Sequence, residues 1–110
     1  MENKLNTPLK FELGASSKKE FLNLAISKTY KIFHLIEEEE QTGYSPKPFI
    51  TGFMFELNAA NELFDGKLVA IIVKLKGIKD EYKTLQFSFI KKQIFEICKI
   101  INSLLKELEG

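Results

Sequence analysis

Arginine and tryptophan are absent from this chain of 110 residues, and cysteine and histidine occur once each. All sixteen basic residues are therefore lysine. Without guanidinium groups there is no bidentate fork for guanine edges or phosphates, which counts against specific DNA reading and arginine-based phosphate sites. Lysine can still hold a phosphate as a point charge. A lone Cys98 forms no internal disulfide, and the opening MENKLNTPLKFEL has neither a basic n-region nor an apolar h-region, so a cytoplasmic protein is expected. The longest apolar run, Leu68 to Val73, is far short of the roughly twenty residues that span a bilayer, and no membrane partner is expected. Gly14, Gly43, Gly52, Gly66, Gly77 and Gly110 are scattered and fit no phosphate-binding loop.

What is present is an ordinary globular composition, 45% hydrophobic and 28% charged, with a formal net charge of +1. Such a chain draws in nucleic acid or anionic lipid only weakly at long range. Its length predicts a single domain over 1–110 that buries about two thirds of its unfolded surface without disulfides or a structural metal, with 1–6 fraying as a tail.

Leu9, Phe11 and Leu13 alternate with Lys10 and Glu12, the period-two mark of a strand that Gly14 ends. Ser17 and Glu20 make a capping-box pattern ahead of a long amphipathic helix that runs to about Gln41, with Gly43 as its left-handed terminator. Phe49, Phe53, Phe55 and Leu57 share odd positions and predict a strand. Val69, Ile71, Val73 and Leu75 do the same in the next segment, and Leu85, Phe87 and Phe89 in a third. From Ile90 the period changes. Ile94, Ile97, Cys98, Ile101, Leu105 and Leu108 follow at helical spacing, while Leu85 and Phe89 lie off that stripe. The resulting expectation is an α+β fold, a two-layer sandwich in β-α-β-β-β-α order, with two helices on one face of a four-stranded sheet.

Two features strain that scheme. Asp65-Gly66 reads as a two-residue hairpin turn, yet such a turn pairs odd positions with even ones, so a bulge or helical turn within Asn58 to Phe64 is needed. The rival is an all-α four-helix bundle, in which Ser45 and Pro46 start a helix and Phe49, Phe53, Leu57, Ala60 and Phe64 form its stripe. The β-branched run at Leu68 to Val73 and the alternation at Leu85 to Phe89 favour the sheet.

If odd positions face the helices, then Ile50, Met54, Leu68, Ala70 and Ile72 lie on the outer sheet face. Five apolar groups on adjacent strands make a patch larger than a soluble monomer usually exposes. These are the candidate partner-binding residues, and the function expected from them is a small non-catalytic protein-binding or regulatory module. It would act as a homodimer or as an accessory or inhibitor subunit. The first alternative is a lysine-based nucleic-acid binder using Lys74, Lys76, Lys91 and Lys92. The second is a small-molecule carrier or enzyme with a pocket between sheet and helices.

Chemistry-bearing residues are sparse. His34 precedes Glu37 and Glu38 by three and four residues, but the Glu-x-x-His order of dimetal bundles is reversed and occurs once. Cys98 has no neighbouring base in the sequence and reads as a small buried thiol. No catalytic residue, metal site or cofactor is expected. Four consecutive glutamates, Glu37 to Glu40, oppose the dipole at a helix C-terminus and fit either a docking surface for a basic partner or a plain charged helix end.

Overall fold

The structure, a computed structural model, describes residues 14–109. Among the described residues there are four α-helices and no strand: α1 (Ala15–Thr42), α2 (Lys47–Ala60), α3 (Val69–Glu81) and α4 (Phe87–Glu109), with a 3-10 turn at Asn61–Phe64. The α+β sandwich is thus overturned and the four-helix arrangement stands in its place. The strand expected at Leu9 to Leu13 and the fraying expected at 1–6 lie outside the described residues.

The physical reason is visible in which apolar side chains are buried. In α2 they are Ile50, Phe53 and Leu57, and in α3 with its flanks Leu68, Ile71, Leu75, Ile78 and Tyr82. Both sets step by three or four residues, the period of a helix. The odd-position faces are split instead: Ile71 is fully buried while Val73 is 64% exposed, and Phe53 is buried while Phe55 is 75% exposed. Burying a complete stripe outweighs the β preference of Val69 to Val73, because strand propensity is chiefly a packing preference that tertiary context overrides.

The ends of the elements follow local chemistry. Gly14 precedes α1 without a side-chain cap, and Ser17 sits inside the first turn, so the capping box is not used. Gly43 takes the left-handed conformation at φ 76°, and its N–H bonds to the Glu39 carbonyl at 2.8 Å. Ser45 Oγ accepts the Lys47 N–H at 3.1 Å where α2 begins. Asp65 and Gly66 do adopt positive φ, 56° and 78°, but they join two helices rather than two strands. Their turn is held by the Gly66 N–H on the Asn61 carbonyl at 2.9 Å and by the Leu68 N–H on Asn61 Oδ1 at 3.0 Å.

The helices alternate in direction, the up-down-up-down order of a bundle. α1 lies along α4, with Phe33 stacked on Phe87 at 4.8 Å, and α2 lies along α3. Between α3 and α4, Lys74 Nζ donates to a Glu96 carboxylate oxygen at 2.9 Å. Between α1 and α2, Lys28 pairs with Glu56, and three α1 lysines lie over phenylalanine rings of the α2 side: Lys18 on Phe64, Lys28 on Phe53 and Lys31 on Phe49. Exposed contacts of this kind contribute about 0.5–1 kcal/mol each, so they orient the pairing more than they drive it. The drive is the core of Leu22, Ile32, Leu57, Ile71, Ile97 and their neighbours, at about 1.5–3 kcal/mol per fully buried aliphatic side chain.

Ile71→Ala and Val73→Ala separate the two architectures by denaturant unfolding. On one face of a strand they would cost similar amounts. In the helix, Ile71→Ala costs about 2–5 kcal/mol, whereas Val73→Ala changes stability by about 0.5 kcal/mol or less.

Candidate functional site

Wherever the core stripe of each helix is complete, any further apolar residue is left outside it. Three of them, Val73, Phe87 and Phe89, line two adjoining recesses, while Leu24, Tyr30, Tyr44, Phe55, Val69 and Phe95 line neither. The α3–α4 turn, residues 82–86, closes against the last turns of α1, and α4 starts there with Phe87 and Phe89. Thr84 and Leu85 donate their N–H groups to the Glu81 carbonyl at 2.9 and 3.1 Å, and Phe89 and Ile90 donate theirs to Gln86 at 3.0 and 3.1 Å. The turn is therefore fixed by its own backbone, and Leu85 on it is half-buried against the core.

Two recesses meet at Leu85. The larger is an open cleft of about 580 Å³ between α1 and the turn. Its floor is apolar, made by Ile36, Leu85, Phe87 and the buried Ile90. Its α1 wall carries Glu37, Glu39 and Glu40. Tyr82 Oη donates to Glu39 Oε1 at 2.6 Å, and Lys83 Nζ stands 4.0 Å from the other Glu39 oxygen. Burial first, and the bond to Glu39 second, push the Tyr82 phenol above its usual range, so it stays a protonated donor. His34 Nδ1 is 3.3 Å from Glu37 Oε1 on the rim. Among the described residues, Glu38 and Glu40 have no cationic partner within 4 Å.

The smaller recess, about 240 Å³, runs between α3 and α4 and is lined by Val73, Gly77, Leu85, Phe89 and Gln93. Phe89 is 46% exposed. Gly77 lies mid-helix, where glycine costs about 0.5–1 kcal/mol relative to alanine, and a Cβ built there meets nothing within 4 Å. Among the described residues, nothing requires that glycine.

The residues singled out from sequence fall elsewhere. Ile50 and Leu68 are fully buried in the helical core, Ile72 and Met54 are half-buried against it, and Ala70 is exposed on α3. An outer sheet face joining these five does not exist, because the parity that defined it belongs to strands. Of the candidate nucleic-acid lysines, Lys74 is held by Glu96, and Lys76 by Asp80 at 3.0 Å. These bonds lower both carboxyl pKa values, the hydrogen bond from lysine being the largest cause in each. Lys91 and Lys92 are exposed in the second turn of α4.

The remaining chemistry is structural. Cys98 is buried, and burial raises its pKa, so the thiolate is disfavoured; its polar neighbour is the Tyr30 hydroxyl rather than His34. Thr29, also buried, donates its hydroxyl to the Ala25 carbonyl of its own helix at 2.7 Å. Among the described residues no three His, Cys, Asp or Glu side chains stand together as a metal site, and no helix is long and apolar enough to cross a membrane.

Sequence reasoning missed Ile36, Leu85 and Phe87 as site residues. One signal was present: Leu85 and Phe89 do not fit the α4 stripe, and residues that fit no stripe are the ones left at the surface.

The acidic wall carries a stability cost that can be measured. No basic residue offsets the dipole in the last turn of α1. Glu38→Gln with Glu40→Gln raises stability by about 0.5–1 kcal/mol in total, read as an upward shift of the thermal midpoint at low salt.

Comparison of the chain with protein-family models, curated proteins and solved structures gives no match in any of the three.

Proposed function

We propose that this chain is a non-catalytic protein-binding module, cytoplasmic and acting as an accessory, inhibitory or regulatory subunit, whose docking surface surrounds the α3–α4 turn. The observation that carries the reading is the convergence of Leu85, Phe87, Phe89 and Val73 around two adjoining recesses, none of them part of a core stripe. The exposed parts of Phe87, Phe89 and Val73 amount to about 300 Å², at the scale where apolar patches on monomers are commonly functional. At about 25 cal/mol per Å² their burial contributes several kcal/mol before the cost of association. The mid-helix Gly77 fits the same reading, since it lets another backbone approach α3 closely.

This surface replaces the sheet face expected from sequence and keeps the function expected from it. Val73 and Phe89 are 64% and 46% exposed and outside the buried core stripes, so Val73→Asp with Phe89→Asp lowers stability by about 1–2 kcal/mol and leaves the helical signal unchanged. Host-lysate proteins retained by the immobilised wild-type chain and lost from the double variant are the expected result. Light scattering shows whether a second copy is among the partners. Identical retained sets, together with an unchanged solution mass, remove this surface as the docking site.

A further inference from the structure

We infer that the cleft between the end of α1 and the α3–α4 turn accepts a cationic amphipathic segment of a partner protein, an apolar side chain entering the cleft while flanking lysines or arginines meet its α1 wall. The inference rests on the protein-binding reading and assigns the partner's chemistry. The cleft, at about 580 Å³, is within the size range of ordinary ligand sites and has an apolar floor of Ile36, Leu85 and Phe87. Apolar surface alone would admit many occupants. Charge makes the choice.

Glu37, Glu39 and Glu40 line one side, and the cation among the lining residues is Lys83, already turned towards Glu39 at 4.0 Å. On a molecule whose formal charge is +1, this is a local concentration of negative charge. The α1 C-terminus adds the negative end of its dipole, and its last turn contains no basic residue. Glu37 and Glu40 are exposed, so each attracts a cation with the modest, salt-screened pull of a surface charge, and the adjoining apolar floor supplies the rest of the contact. An anionic or purely polar segment gains from neither feature. The Tyr82–Glu39 hydrogen bond holds one carboxylate against the turn, leaving Glu37 and Glu40 at the rim to receive the cations.

The test uses the full isotope-labelled chain and a peptide of about three helical turns, with leucine at one helical stripe and lysine elsewhere. One control replaces every lysine by glutamate, and the other replaces every leucine by serine. The expected result is saturable shifts of the Tyr82, Lys83, Leu85 and Phe87 amides with the leucine–lysine peptide alone. Binding should weaken about tenfold in a Glu37→Gln, Glu40→Gln variant, and should also weaken between roughly 50 and roughly 500 mM salt.

Equal binding of the glutamate peptide, equal binding of the serine peptide, shifts confined to the Val73–Gln93 recess, or no saturable shift each overturn the proposal. So does a concentration-dependent dimer abolished by Glu37→Gln with Glu40→Gln, which would make a second copy the occupant. Any of these outcomes leaves the broader protein-binding reading standing if the Val73→Asp, Phe89→Asp chain still loses lysate partners.

Discussion

A helix of this bundle buries one stripe of side chains, and that restriction sorts the apolar residues of the chain into two classes. Leu22, Ala25, Ile32, Ile50, Leu57, Ile71, Leu75, Ile94, Ile97 and Ile101 fall on stripes and make the core. Leu24, Tyr30, Tyr44, Phe55, Val69, Val73, Phe87, Phe89 and Phe95 do not, and all are exposed. The second class explains the candidate site. Three of its nine members, Val73, Phe87 and Phe89, line the two recesses that meet at Leu85, itself half-buried against the core. Phe87 gains partial shelter by stacking on Phe33, which also makes it a rigid wall of the cleft.

Electrostatics gives the same end of the molecule a sign. Elsewhere, among the described residues, three ion pairs link different segments: Lys28 with Glu56, Lys67 with Glu107, Lys74 with Glu96. Such pairs are largely exposed, and each adds little beyond register. At the end of α1, Glu39 has Lys83 at 4.0 Å and Glu37 has His34 at 3.3 Å, while among the described residues Glu38 and Glu40 have no cation within 4 Å. A helix end that opposes its own dipole spends stability, and stability is commonly lost where a surface serves binding. Acidic wall and apolar floor are contiguous. Together they make a more selective surface than either would alone.

The long helices were legible because their stripes run over many turns, 28 residues in α1 and 23 in α4, too long for a period-two reading to compete. The short ones were not. α2 and α3 have 14 and 13 residues, and both carry apolar residues at either period, so Phe53 and Leu57 fit a strand face and a helix stripe equally well. The β-branched run Val69 to Val73 then tipped the reading towards a sheet. The register conflict at Asp65-Gly66 was the symptom of that error, since a turn between helices has no strand register to satisfy. Once parity was assumed, Ile50 and Leu68 were placed on the outside when both are at the centre of the core. The acidic run at Glu37 to Glu40 was visible as an anomaly. Its apolar partner surface was not, because Ile36, Leu85 and Phe87 are brought together only by the antiparallel packing of α1 and α4.

Whether the apolar residues at the α3–α4 end are spare is decided by the stability of Phe89→Asp measured in thermal and denaturant unfolding. The bundle predicts a loss of about 1–1.5 kcal/mol, the share due to the sheltered half of a ring that is 46% exposed, and an unchanged helical signal, because the site is in the first turn of a helix, where an acid is tolerated. A loss of about 3 kcal/mol or more would mean that Phe89 is core, as the sheet reading required, and would contradict the account of this surface.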